Sequence, residues 1–157
     1  MTYRSEQDQG NITDLPCYVE GRKYIERLGW WLIPVKGIGK RPKRAWFDGW
    51  PDYHLGVPEL AETLQRNPES GIGLNLGRSN LLDLEADSDE GEEVLQKLCD
   101  GLTFPCWRSR RSVHRLFQRP TEVGFHKIGD LDIEFRTGRF QSVLPPTVFP
   151  EKGTEYQ

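Results

Sequence analysis

Carboxylates occupy alternate positions in segment 81–89, beginning with Asp83, Glu85 and Asp87; the segment reads Leu-Leu-Asp-Leu-Glu-Ala-Asp-Ser-Asp. On a β-strand, residues two apart point to the same face of the sheet. Asp83 and Glu85, the first two carboxylates, would therefore project together, and the third would lie near the end of the strand. The apolar residues beside them, Leu84 and Ala86, would face a core. The sequence thus predicts a strand that presents a pair of acids on one side.

Two like charges on one strand face repel each other, and burying them is costly unless a positive charge lies nearby. A divalent cation supplies that charge, and hard oxygen ligands suit Mg²⁺ or Mn²⁺. The alternative is a strand that ends at Leu84 and continues as a solvated acidic loop. The acids between residues 89 and 93 have a simpler explanation. Ser88 or Asp89 would cap a helix over 90–98, and acidic residues favour the first turn of a helix.

Basic residues concentrate in two segments, 36–44 and 108–119, although the net charge of the chain is only −3. Lysines act as point charges and arginines as forks toward phosphate oxygens, so either segment could bind phosphate; the first could equally be a solvated loop. In the second segment, Ser112 and His114 would share one face of a strand within an arginine cluster. Such a surface is typical of a triphosphate site.

The composition indicates one globular domain with a substantial core. The chain has 157 residues, of which 36% are hydrophobic and 29% charged. No apolar run approaches the ~18 residues of a membrane-spanning helix, and the N-terminus lacks a signal-peptide core. Three widely spaced cysteines form neither a disulfide framework nor a zinc pattern, so we expect a reducing, cytoplasmic setting.

The periodicity predicts an α/β (α+β) chain, with a mixed or antiparallel sheet flanked by helices. Helices are expected over 16–27, 58–66 and 90–98, with inward residues that include Leu28, Val94 and Leu98. Strands are expected over 30–35, 71–77, 81–85, 104–110, 113–118, 131–136 and 140–144. The strands over 71–77 and 81–85 are predicted to form a hairpin.

A third acid would complete a metal site. On the expected strand over 131–136, Asp132, Glu134 and Arg136 share one face. Asp132 and Glu134 are both eligible ligands on this reasoning.

The order of these motifs resembles the N-terminal domain of bifunctional primase–polymerases (prim-pol), in the archaeo-eukaryotic primase superfamily. The resemblance covers roughly residues 14–157. The matching segments are Gly29-Trp30-Trp31-Leu32-Ile33-Pro34, Lys40-Arg41-Pro42, Gly49-Trp50, Gly71-Ile72-Gly73-Leu74, Asp83-Leu84-Glu85, Ser112-Val113-His114, Ile133-Glu134-Phe135-Arg136, Leu144-Pro145-Pro146-Thr147 and Gly153-Thr154-Glu155-Tyr156. The acidic motif is usually Asp-x-Asp, and the longer carboxylate of Glu85 can still bind a metal.

The resemblance implies a DNA primase/polymerase, that is, a nucleotidyltransferase with a primase catalytic core that contains an RRM-like part. By alignment with the family, the third acid is Glu134 rather than Asp132. The implied two-metal site for Mg²⁺ or Mn²⁺ consists of Asp83, Glu85 and Glu134. The implied nucleotide-binding residues are Ser112, His114, Lys40, Arg110 and Arg136.

The resemblance also implies partners: a single-stranded DNA template or primer and an NTP or dNTP, with no membrane. The setting would be replication of a plasmid, phage or mobile element, and a helicase domain often follows in such proteins. We expect a flexible segment over 1–13 and a catalytic domain over 14–157, excised from a longer protein. The alternative hypotheses for the function are a metal-dependent nuclease and a catalytically silent nucleotide- or nucleic-acid-binding replication module.

Overall fold

The computed structural model describes residues 11–36, 45–46, 48–109, 111–149 and 154–155. Within these residues the helices are α1 (Pro16–Leu28), α2 (Val57–Arg66) and α3 (Asp89–Leu98), with 3-10 turns at Ile12–Asp14, Trp50–Asp52 and Gly129–Leu131. The strands are β1 (Leu32–Val35), β2 (Gly71–Asn75), β3 (Leu81–Ala86), β4 (Cys106–Arg108), β5 (Val113–Gln118), β6 (His126–Ile128), β7 (Ile133–Arg136), β8 (Gln141–Val143), β9 (Val148–Phe149) and β10 (Thr154–Glu155).

All strand pairs in the described residues are antiparallel. One sheet has five strands in the order β4-β5-β3-β7-β6, a second has the order β1-β2-β8, and β9 pairs with β10. With the three helices, these sheets confirm the predicted α+β fold and its antiparallel pairing.

The predicted hairpin between β2 and β3 is wrong, because the two strands belong to different sheets. Both edges of β2 are already paired, one with β1 and the other with β8. The turn over 76–80 instead carries the chain from one sheet to the other, and the Leu81 N–H donates to the Leu76 carbonyl across it at 2.9 Å. This crossing places the acidic strand at the centre of the larger sheet.

The helix ends agree with the sequence signals, but some residues that were predicted to face inward are exposed. Gly29 ends α1 in the left-handed conformation, with φ at 65°. Leu28, at the last position of α1, is exposed rather than inward. The buried stripe of α3 runs through Gly91 and Leu95 and continues to Cys99, the residue that caps the helix, at intervals of four residues. Since that stripe is narrow, the predicted inward residues on its flanks, Val94 and Leu98, are exposed as well.

The five-stranded sheet has apolar packing on both faces. One face holds Leu84, Ala86 and Ile133 against α3, in a core that includes Leu95. The other face holds Leu116, which packs in the main core with residues of the three-stranded sheet, α1 and α2. Because Asp83 pairs directly with Leu116, the acids of β3 lie on this second face, toward the smaller sheet.

Parts of the expected arrangement lie outside the described residues. These parts are residues 1–10 of the flexible segment, most of the basic loop, and Arg110. Ile12, at the end of the expected flexible segment, packs against the main core. Among the described helices, none combines the length and the apolar character that crossing a bilayer requires.

Candidate active site

The acidic pair lies in the interior of the molecule. Asp83 is completely buried, and Glu85, two residues further along β3, is 7% exposed. Leu84 between them packs into the opposite core, as the strand periodicity predicts. On the neighbouring strand β7, Arg136 lies directly across from Asp83 and Glu134 directly across from Glu85. Residues paired in this way share one face, so all four of these side chains project from the same face of the sheet.

His114 of β5 and Ser112, the residue just before that strand, both contact the acids of β3. The Nδ1 atom of His114 lies 2.7 Å from Asp83 Oδ2, and its Nε2 atom lies 3.4 Å from Glu85 Oε2. The Ser112 hydroxyl donates to Glu85 Oε2 at 2.7 Å. His114 is 2% exposed and Ser112 is 5% exposed. The two residues that the sequence placed together therefore both bind the acids of β3.

Arg136 supplies the positive charge within this cluster. Its Nη1 atom donates to Glu85 Oε1 at 2.7 Å and lies 3.8 Å from Asp83 Oδ2. Its Nη2 atom donates to the Gln141 carbonyl at 2.6 Å, and the guanidinium lies over the ring of Phe140. These contacts hold the side chain against the acids, and 16% of its surface remains exposed.

The balance of charge sets the pKa of Asp83. Burial by itself raises the pKa of this carboxyl, because an apolar environment disfavours the charged form. His114, Arg136 and the hydrogen bond from Ser142 outweigh burial and lower the pKa below its ordinary value. Asp83 is thus a buried carboxylate that stays ionised.

Two contacts in the cluster had no signal in the sequence. The Ser142 hydroxyl, from β8 of the three-stranded sheet, donates to Asp83 Oδ2 at 2.5 Å. Trp107 of β4 stacks on the His114 ring, with 4.8 Å between centroids and 10° between planes. Strand periodicity does not show which residues of other strands meet Asp83 and His114, so the sequence analysis could not find Ser142 or Trp107.

The third acid occupies a different setting from the first two. The Glu134 carboxylate pairs with Lys127 Nζ at 3.3 Å and is 24% exposed. Asp132 is not in the strand, since β7 begins at Ile133 and Asp132 has a φ of 48° in the preceding turn. The prediction that Asp132 shares the face of Glu134 and Arg136 is therefore wrong. The left-handed turn also directs the Asp132 carboxylate to Lys127, at 3.1 Å.

The sequence profile of the family described as "Bifunctional DNA primase/polymerase, N-terminal" matches residues 21–157. The chain belongs to this family. No curated protein gives a significant match. Family membership confirms the resemblance inferred from the ordered motifs, and it indicates a nucleotidyltransferase-type enzyme with DNA primase/polymerase activity in DNA replication.

A metal implied for a prim-pol domain can be tested against the donor atoms that are present. Among the described residues, no group of three or more His, Cys, Asp or Glu side chains is arranged to hold a metal ion. Mg²⁺, however, is usually held by only one or two carboxylates, with water and substrate phosphates as the other ligands. Asp83 and Glu85 meet this requirement, and Asp83 Oδ1 has no hydrogen-bond partner among the described residues. The donor set therefore fits a hard divalent cation.

The predicted nucleotide-binding residues of this prim-pol domain fall into two groups. Ser112, His114 and Arg136 lie together around the acids of β3. Lys40 and Arg110 lie outside the described residues, so their assignment stays a prediction.

Proposed function

We propose that this domain catalyses metal-dependent nucleotidyl transfer, making or extending a DNA primer on a single-stranded template. The supporting observation is the cluster in which Asp83 and Glu85 share one face of β3, with His114 and Ser112 bonded to them. A buried carboxylate that stays ionised, as Asp83 does, is suited to holding a cation of a phosphoryl-transfer centre.

In this proposal Asp83, Glu85 and Glu134 hold two Mg²⁺ or Mn²⁺ ions. Glu134 would leave Lys127 to join them by a change of side-chain rotamer, from its position across from Glu85 on the neighbouring strand. When bound, such cations lower the pKa of an attacking 3′-hydroxyl and stabilise the charge on the departing pyrophosphate.

The cationic and hydroxyl groups of the cluster bind the incoming NTP or dNTP. Ser112 and His114 would contact the triphosphate, and Arg136, which is partly exposed, would turn from Glu85 toward a phosphate. Lys40 and Arg110 would add further charge. Together these residues place the α-phosphate beside the acids of β3, where bond formation releases pyrophosphate.

The template contact would be electrostatic and largely independent of sequence, as is usual for proteins that follow a single strand. We further propose that the domain serves the replication of a plasmid, phage or mobile element, with a helicase domain as a partner in the full-length protein. Both proposals rest on the family resemblance.

A direct test incubates the protein with a labelled primer and template, nucleotides and Mn²⁺ or Mg²⁺. We expect the labelled strand to lengthen, and Asp83→Asn, which keeps the side-chain shape, to abolish the lengthening. Asp87→Asn is the matched control, because Asp87 is exposed just after β3. A shortened product would indicate the nuclease instead, and template binding without metal-dependent nucleotide binding would indicate a silent module.

A further inference from the structure

Asp83 receives hydrogen bonds from two different sheets at one of its oxygens. His114, within the five-stranded sheet, lies 2.7 Å from Oδ2. Ser142, on β8 of the three-stranded sheet, donates to the same atom. Ser142 is 1% exposed, so its hydroxyl is buried beside the carboxylate that it binds.

The other oxygen, Oδ1, has no hydrogen-bond partner among the described residues. Buried carboxylate oxygens are nearly always paired, so an unpaired one calls for a specific explanation. Two donors on Oδ2 fix the rotation of the carboxylate about its Cβ–Cγ bond. They therefore also fix which oxygen remains for another ligand.

We propose that Ser142 is a positioning residue that orients Asp83 so that Oδ1 is presented to a divalent cation. This inference rests on the proposed function, because it assumes that Asp83 binds the metal. Partners that orient metal-binding carboxylates commonly affect metal affinity by about 10- to 100-fold. Ser142 differs from His114 and Ser112 in that it needs no contact with the nucleotide.

The position of Ser142 explains how the three-stranded sheet can orient Asp83. Ser142 of β8 pairs with Leu74 of β2, and both Leu74 and the next residue, Val143, belong to the main core. Its hydrogen bond thus links Asp83 to a strand of the other sheet. Without Ser142, His114 is the one hydrogen-bond donor left on Oδ2 among the described residues, with Arg136 at 3.8 Å, and the carboxylate can rotate to exchange its two oxygens.

The test measures Mn²⁺ binding to the whole chain without nucleotide, by the loss of the free Mn²⁺ signal in electron paramagnetic resonance. We expect Ser142→Ala to weaken Mn²⁺ binding about tenfold or more. Ser70→Ala is the matched control, since Ser70 is also a buried serine but binds the Val35 carbonyl and Trp46. It should lose stability without any change in Mn²⁺ affinity.

Ser142→Cys replaces the hydroxyl with a thiol of similar shape that is a weak hydrogen-bond donor, and it is the second variant to test if Ser142→Ala fails to fold. It should also weaken Mn²⁺ binding. Native Mn²⁺ affinity in the folded Ser142 variants would overturn the inference and leave the proposed function standing. A wild-type chain that binds no Mn²⁺ would overturn both. An equal loss in Ser70→Ala would show that general destabilisation, rather than the orientation of Asp83, controls metal binding.

Discussion

Arg136 on β7 and Glu85 on β3 form an ion pair at 2.7 Å within the cluster of acids. The guanidinium also lies 3.8 Å from Asp83, so a single side chain offsets the charge of both carboxylates. Among the described residues, Arg136 therefore occupies the electrostatic role that the sequence analysis gave to a metal ion. In the proposed function, a cation and Arg136 compete for the same acids.

This competition gives the first prediction. Arg136→Ala should raise the Mn²⁺ affinity of the nucleotide-free protein, because the competing positive charge is gone. The same variant should bind nucleotide more weakly, since one phosphate contact is lost. Titration of Mn²⁺ and of nucleotide by calorimetry measures both effects.

Arg139→Ala is the control for this prediction. Arg139 is exposed on the turn that joins β7 to β8, so its removal changes the net charge equally without touching the acids. Unchanged or lower Mn²⁺ affinity in Arg136→Ala would contradict the competition.

The second prediction concerns His114. Its replacement by alanine should weaken nucleotide binding more than template binding, because we place it at the triphosphate and not along the template. Fluorescence titrations with labelled nucleotide and labelled single-stranded DNA compare the two affinities. His126→Ala, which removes an exposed histidine of β6, should change neither. If His114→Ala weakens template binding more than nucleotide binding, His114 does not belong to the triphosphate site.

The third prediction concerns stability against pH. Arg115 of β5 is 5% exposed in its side chain and donates to both carboxylate oxygens of Glu92 on α3, at 2.5 and 3.0 Å. Burial raises the pKa of Glu92. The hydrogen bonds from Arg115 and Gln96 lower it by more than burial raises it, so the pKa lies below its ordinary 4.5. A lowered pKa means that this pair stabilises the fold fully above pH 4.5 and less as the pH falls through the folded value.

We therefore expect Glu92→Gln to cost roughly 1–3 kcal/mol at pH 7, because a buried guanidinium loses its charged partner. The difference in unfolding free energy between this variant and the wild type should shrink as the pH falls below 4.5. Urea unfolding at a series of pH values measures this difference, and Glu93→Gln, at an exposed neighbouring residue, is the control. A loss that is independent of pH would argue against an electrostatic origin.

The fourth prediction reverses a general rule for helices. Replacing glycine by alanine inside a helix usually stabilises it by up to about 1 kcal/mol. At Gly91 of α3, however, a Cβ atom would lie 2.1 Å from the Leu131 carbonyl oxygen and 2.9 Å from the Ser88 hydroxyl. Since the carbonyl belongs to the backbone, α3 would have to shift away from the turn before β7.

Gly91→Ala should therefore destabilise the domain by about 1–3 kcal/mol, as overpacking does elsewhere. Thermal unfolding measures the change. Gly124→Ala is the control, because a Cβ atom there would meet nothing within 4 Å. Equal melting temperatures for the two variants would show that α3 can move at no cost.

The sequence predicted local features for local reasons. Alternation of acids and apolar residues identified β3 and its two faces, and Gly29 marked the end of α1, because strand periodicity and glycine conformation act within a few residues. The ordered motifs also indicated the family. The spacing of Ser112 and His114 predicted that they lie together, and both contact the acids of β3, although β5 begins one residue after Ser112.

Only the tertiary structure decided which distant residues meet these groups. The sequence analysis assigned a metal ion to the acids of β3; in the fold, Arg136 from β7 and Ser142 from the other sheet also bind them. Likewise, β2 could not pair with β3 because β1 and β8 occupy both of its edges. Pairing between strands far apart in the chain depends on the packing of the whole core, and local periodicity carries no information about it.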